Sequence, residues 1–348
     1  MIQSLKVKRL NDRFDYDLEF NEDMNIITGQ NGSGKTTLLK LIWYLTSGNL
    51  HRIIPEISLT SVQICTSEFD LSLQPNDNEV QLKWYFDSGS KGQESFPIDD
   101  RQIDDQKAQH AIIESVKKFF WKKSTVLQQI GVLNMLNKKI AEIMPGSLFF
   151  STFGKFEGTY TAEPTMMRLQ EVLSEFAEAL SVGQHKFMPE ILTDDLTELL
   201  KQKYIVIQND IDPADDKRQT FVDRWELLDE MVEDFYGKKY GGIRILEDII
   251  LGKNHNTENL GFIPFNNLSF GERRSLGFLY YNAFSDARTI FINELESSLN
   301  HVLQRQLPLI LKRMGTEKQI FLTTRSPSIF KRVPEKTIEL RNSEQSKS

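Results

Sequence analysis

Eight residues near the start of the chain have the composition of an anion cradle. Gly29-Gln-Asn-Gly-Ser-Gly-Lys-Thr36 fits the spacing G-x-x-x-x-G-K-[ST], with the apolar run Met24 to Thr28 before it and helical spacing after it. Glycines let successive N–H groups curl around phosphate oxygens, and a helix amino terminus adds its partial positive charge. Gly29, Asn31, Gly32, Ser33, Gly34, Lys35, Thr36 and Thr37 are therefore the candidate nucleotide contacts. Lys35 would reach the β and γ phosphates, and the Thr36 hydroxyl would ligate magnesium. A chance glycine turn would not come with both the strand and the helix that this chemistry needs.

Three later stretches complete the set. Leu268-Ser-Phe-Gly-Glu272 leads directly into a helical pattern, Thr289-Ile-Phe-Ile-Asn-Glu-Leu-Glu-Ser-Ser-Leu-Asn300 opens on an apolar strand, and Phe321-Leu-Thr-Thr-Arg-Ser-Pro327 follows a second one. Together with the glycine loop they resemble the ABC-type ATPases of the SMC, RecF and OLD branch. The first looks like the LSxGE form of the ABC signature. The resemblance implies that Ser269, Gly271 and Glu272 face the γ-phosphate of a nucleotide held by another subunit. It puts Glu294 at the position of the glutamate that polarises the attacking water, and Glu296-Ser-Ser-Leu on a loop that crosses a dimer interface.

The chain departs from that pattern at three places. Asn293 stands where an aspartate normally holds a magnesium-bound water, so the metal set Thr36 and Asn293 lacks a negative charge. Losing such a partner typically costs on the order of 10- to 100-fold in metal affinity or activity. Arg325 replaces the histidine of a T-H-S-P switch; a guanidinium binds phosphate but has no lone pair with which to take a proton. In Leu148-Phe-Phe-Ser-Thr-Phe-Gly-Lys-Phe-Glu-Gly158, which resembles the LFFPTFRRIEGG strand of small defence-associated ATPases, Gly154 and Lys155 occupy the usual pair of arginines.

What the resemblance implies is an ATP- and Mg2+-dependent, nucleotide-sandwiched dimer that gates a separately encoded effector, a nuclease or toxin, in anti-phage defence. AriA-like and PtuA-like subunits are the nearest relatives suggested. Glu294, Lys35 and Arg325 form the catalytic set, with hydrolysis slowed by Asn293 and Arg325. Two alternatives remain open: a DNA repair and recombination ATPase of RecF type, which would contact nucleic acid, and a scaffold that binds ATP without turnover. A transporter motor is disfavoured by the missing Q-loop glutamine and switch histidine.

The elements that must position these residues follow from periodicity. Ile2 to Leu10, Tyr16 to Phe20 and Met24 to Thr28 read as strands, and Lys35 to Thr46 as a helix. Three β-like runs between 57 and 87 predict an antiparallel sheet. Ser88 to Asp105 is polar and reads as a loop, with helical spacing from about Ile103 to Ile143. Leu148 to Phe153 reads as a buried strand, with helices expected around 165–182, 190–202 and 218–236. From residue 272 a helix and strand alternation predicts a parallel sheet flanked by helices.

The expected fold is α/β: a P-loop ABC ATPase head with a mixed core sheet, flanking helices, an antiparallel β subdomain and a helical insertion. The expected division is an amino-terminal ATPase lobe over 1–103, a helical lobe with one core strand over 104–260, and a carboxyl-terminal ATPase lobe over 261–348.

Bulk properties limit the alternatives. The chain has 348 residues and a net charge of -7, which argues against a surface coated in phosphate-binding lysine. Its single cysteine, Cys65, excludes an internal disulfide and a cysteine-based zinc cluster. It reads as a half-buried strand residue. No run of eighteen apolar residues and no basic-then-apolar leader is present, so a cytoplasmic location without a membrane span is expected. The five histidines have no ligand spacing, and surface or core placement is expected for them. Phe14 and Tyr16 are read as core packing, with adenine stacking as the rival.

Overall fold

Alternation within single strands splits the core of the molecule into two layers. The computed structural model describes residues 1–76, 79–97, 131–144, 146–150, 156–158, 216–236, 241–245, 249–253, 262–264, 287–314 and 318–341, with isolated positions between 275 and 283. The central sheet has the order β15-β3-β14-β13-β8-β9. Its strands are β3 (Met24–Gly29), β8 (Ser147–Phe150), β9 (Phe156–Gly158), β13 (Thr289–Asn293), β14 (Gln319–Thr323) and β15 (Thr337–Leu340). All neighbours run parallel except β9, which is antiparallel to β8. The fold is thus the mixed α/β sheet expected of a P-loop ATPase.

Strands buried on both faces read as continuous apolar runs, and TIFIN and QIFLT are buried at every position. Their side chains point alternately to opposite faces. Ile27, Phe149, Phe291 and Phe321 face one cluster, while Ile26, Phe150, Ile290, Ile292, Ile320 and Leu322 face the other. Phe291 and Phe321 stack with ring centroids 5.2 Å apart.

Helix α1 (Lys35–Thr46) lies between the first face and a second sheet, and Leu38, Leu39, Leu41, Ile42 and Trp43 are all buried there. Fully burying an aliphatic side chain of this size contributes about 1.5–3 kcal/mol. The second sheet is antiparallel throughout, in the order β2-β1-β4-β5-β6-β7. It comprises β1 (Ile2–Leu10), β2 (Phe14–Glu19), β4 (Ser61–Thr66), β5 (Phe69–Pro75), β6 (Glu79–Phe86) and β7 (Lys91–Pro97). Cys65 is half-buried on β4.

β7 corrects the expectation of a loop over Ser88 to Asp105. Residues 91–97 pair with β6 in register Gln81 to Ser95 and Lys83 to Gln93. An edge strand is held by main-chain hydrogen bonds on one side, so its side chains can stay polar; among residues 91–96 only Phe96 is buried.

The other face of the central sheet is covered by α3 (Asp216–Tyr236) and α4 (His301–Met314), through Leu228, Met231, Val232, Leu307, Ile310 and Leu311. Residues 275, 278–279 and 282–283 are helical, as read from the sequence. Helix α2 (Gly131–Ile143) packs Leu133, Leu136 and Ile140 into the first cluster. The stretch read as a helical lobe also carries an antiparallel sheet of β10 (Gly241–Ile245), β11 (Ile249–Lys253) and β12 (Phe262–Pro264). Helical expectations over 103–130, 165–182 and 190–202 lie outside the described residues. No described helix is long and apolar enough to cross a membrane.

One side chain fastens the two large sheets together. Gln319, fully buried at the start of β14, accepts from the Ile2 N–H at 2.8 Å and donates to the carbonyls of Ile2 at 2.7 Å and Asn21 at 2.8 Å.

Candidate nucleotide site

The phosphate loop joins the end of β3 to the start of α1. Gly29 has φ 151°, and a Cβ there would lie 2.8 Å from the Leu340 carbonyl oxygen and 2.9 Å from Ser33 Oγ. Only glycine fits that approach. Gly34, at φ 77°, turns the chain into the helix. Asn31 and Gly32 are exposed at the tip of the loop, while Ser33 and Lys35 are buried. Tyr16 supports the loop from β2, its hydroxyl donating to the Ser33 carbonyl at 2.7 Å. Burial raises the Tyr16 pKa to about 12. Phe14 stacks on Tyr16 and both are buried, which places them in the core as packing.

Lys35 Nζ donates to the carbonyls of Gly29 and Gln30, both at 3.0 Å, so its ammonium hangs inside the loop it serves. Burial, and next the Arg325 charge, hold its pKa below the ordinary lysine value. Thr37 Oγ1 accepts from Asn11 at 3.1 Å.

Facing the loop are the carboxyl ends of β13 and β14. Asn293 Oδ1 accepts from the hydroxyl of Thr36 at 3.0 Å and from that of Thr323 at 2.7 Å. This joins the proposed metal pair across 257 residues of sequence. The donor set, hydroxyl and amide oxygens, suits the oxygen preference of Mg2+ but supplies no charge. The residues fit the ion in kind and would hold it with less electrostatic pull than an aspartate would.

Glu294 is left-handed at φ 48° and ψ 49°, a conformation that costs a non-glycine residue about 1–2 kcal/mol. Strain of this kind clusters at functional sites. Its N–H donates to the Thr323 carbonyl at 3.1 Å, and its Oε1 accepts from Arg325 Nε at 2.7 Å. The Arg325 side chain is 54% exposed and that of Glu294 14%. The three residues assigned as the catalytic set, Lys35, Glu294 and Arg325, thus share one small region.

Sequence reasoning passes over several supports. Glu296, placed by resemblance on an interface loop, is buried and accepts from the Thr324 hydroxyl at 2.7 Å and the Arg325 N–H at 2.9 Å. Gln304 of α4 donates to the carbonyls of Glu296 and Leu299 and accepts from the Ser326 hydroxyl. The signal available beforehand was the hydroxyl pair Thr323-Thr324 beside the switch arginine. Ser269, Gly271 and Glu272 of the signature stretch, and Gly154 and Lys155, lie outside the described residues.

A family described as AAA domain matches residues 13–202, more than half of the chain. A second AAA-domain family, whose description names the AbiEii toxin of type IV toxin–antitoxin systems, matches residues 182–331. The chain is 30% identical over 93 residues to the DNA replication and repair protein RecF of Clostridium acetobutylicum, a stretch covering 26% of this chain and 25% of that protein. It is 24% identical over 90 residues to the RecF of Acetivibrio thermocellus, covering 26% of this chain and 24% of that one. The chain therefore spans about a quarter of the length of these curated relatives.

Among solved structures, an SMC head bound to the C-winged helix domain of ScpA is similar at 13% identity and a TM-score of 0.45, covering 98% of this chain and 94% of that one. The SMC head domain from Thermotoga maritima is similar at 11% identity and a TM-score of 0.42, covering 95% and 91%. With a glycine loop built for phosphate, a strand end aimed at it and a family match over more than half its length, the chain belongs to the AAA domain family and has the fold of a P-loop ATPase.

Proposed function

We propose that the chain is an ATP-gated dimeric switch with slow hydrolysis, acting in anti-phage defence through a separately encoded effector. The observation that carries slow hydrolysis is the hydrogen bond from Arg325 Nε to Glu294 Oε1 at 2.7 Å. A carboxylate oxygen already occupied by a guanidinium N–H is not free to orient an attacking water. Lys35 and the loop amides would bind the β and γ phosphates. Thr36 and Asn293 would hold Mg2+, which neutralises charge between those phosphates. With hydrolysis slow, ATP acts as a linker between two copies, joining the loop of one to Ser269 and Gly271 of the other.

The test is sedimentation of the full chain with ATP, with ADP and without nucleotide. Dimers with ATP alone, abolished by Ser269→Arg, are the expected result. A chain that stays monomeric with saturating ATP would discard the sandwich.

A RecF-like role in DNA repair is the second reading. It is favoured by the name of the partial relatives and by a groove of about 290 Å³ on the outer face of the antiparallel sheet, lined by Lys6, Lys8 and Lys83. A gel shift with duplex DNA that requires ATP and is lost in Lys8→Glu/Lys83→Glu would replace the first reading by this one.

A further inference from the structure

Glu296 is a buried acid with one oxygen occupied and the other bare. The residue is 7% exposed. Its Oε1 takes both the Thr324 hydroxyl and the Arg325 N–H, while Oε2 has no hydrogen-bond partner. A buried carboxylate left half-satisfied is costly. The return for that cost must lie in the two hydrogen bonds that Oε1 accepts, a function that an amide oxygen could also serve.

Its surroundings identify that return. Each residue from 323 to 326 is bonded to the end of β13, to the segment after it or to α4: Thr323 to Asn293, Thr324 and the Arg325 amide to Glu296, the Arg325 guanidinium to Glu294, and Ser326 to Gln304. Glu296 holds the middle of this bracket, gripping the backbone at Arg325, whose guanidinium reaches the carboxylate of the candidate base. The Arg325 charge is felt at Lys35, and so are those of Glu294 and Glu296. Two cations and two acids therefore share the mouth of the phosphate loop.

We propose that Glu296 is the positioning residue for Arg325: it fixes the 324–325 backbone so that the guanidinium, resting on Glu294, is aimed at the γ-phosphate of a bound nucleoside triphosphate. The inference rests on the nucleotide-switch reading above and deepens it, because it assigns the preference for a triphosphate over a diphosphate to a residue that touches neither. Arg325 exchanges one oxyanion for another. Its exposed pair with Glu294 is weak enough to release, and Glu296 keeps the backbone in place while it does so.

The experiment is titration of the full chain with fluorescent ATP and ADP analogues in the presence of Mg2+. Glu296→Ala is expected to weaken ATP binding about tenfold, the loss typical of a hydrogen bond to a charged group, with ADP within about twofold. Glu296→Gln, which keeps the Oε1 acceptor, should restore most of the loss. Arg325→Ala should show the same selective loss, and Glu296→Ala should add nothing on top of it, as for two residues acting as one unit. Equal weakening of ATP and ADP, or full additivity with Arg325→Ala, would mean general loosening and overturn the proposal. Should Glu296→Ala fail to fold by circular dichroism, Thr324→Val removes half of the same grip and must show the same selectivity at smaller size. A wild-type chain that binds neither nucleotide refutes the switch reading itself. One that binds ATP while no variant changes the ATP to ADP ratio refutes the role of Glu296 alone.

Discussion

Arg325 Nε lies 2.7 Å from Oε1 of Glu294, so the two residues proposed as switch and general base are bonded to each other. Exchanging guanidinium for imidazole should loosen that hold and return a group able to accept a proton. Arg325→His is expected to raise steady-state phosphate release by about tenfold and to give it a rise with pH near 6.5, the ordinary histidine value. A flat profile at the wild-type rate would show that the pair does not limit turnover.

Asn293→Asp adds the missing charge beside the metal position without altering shape. Half-saturation by Mg2+ should fall and hydrolysis should increase on the order of 10- to 100-fold. Metal titration of phosphate release checks both at once, and unchanged metal dependence would count against Asn293 as part of the ion's surroundings.

Lys35→Ala removes the ammonium that hangs from the carbonyls of Gly29 and Gln30. Nucleotide affinity should drop by about 10- to 100-fold, as expected for lost charge-assisted hydrogen bonds. The melting temperature without nucleotide should change little, because both carbonyls can turn to water. Equilibrium binding and a thermal melt distinguish the two effects.

His51 gives the fold a pH dependence of its own. It is 6% exposed, Asn137 Nδ2 lies 3.2 Å from its Nδ1, and burial lowers its pKa to about 4. Between about pH 6.5 and 4 the unfolded chain holds a proton there that the folded chain does not, so stability falls as pH drops through that window, by up to about 3 kcal/mol. His51→Gln should flatten the part of the urea midpoint against pH curve that lies in this range; an identical slope in both proteins would remove His51 as the source.

Gln319→Ala should be among the most destabilising single changes. It leaves the N–H and carbonyl of Ile2 without their buried partner and opens a void at the junction of the two sheets. A loss of about 2–4 kcal/mol is expected in urea denaturation, with a smaller loss for Gln319→Glu at low pH, where a protonated acid can still donate.

Local chemistry was legible in the sequence, and distant chemistry was not. The phosphate loop could be read because Gly29 to Thr36 lie together between a strand and a helix, and β13 and β14 because five consecutive buried residues leave an apolar run. β7 was hidden because KGQESFP pairs by backbone and, among residues 91–96, buries only Phe96. β10 to β12 left no expectation of a sheet in a stretch dominated by helical spacing. The contacts of Glu296 were hidden for a different reason: its partners Thr324 and Arg325 are 28 and 29 positions away, and nothing in the spacing of Glu296 marks an acid that reaches inward.

β14 begins with Gln319 and ends with Thr323, and it is hydrogen-bonded to β3 on one side and β13 on the other. A buried strand tied along both edges cannot absorb a push by bending. Thr323 at one end and Ile2 at the other are thereby joined through a single strand held on both sides.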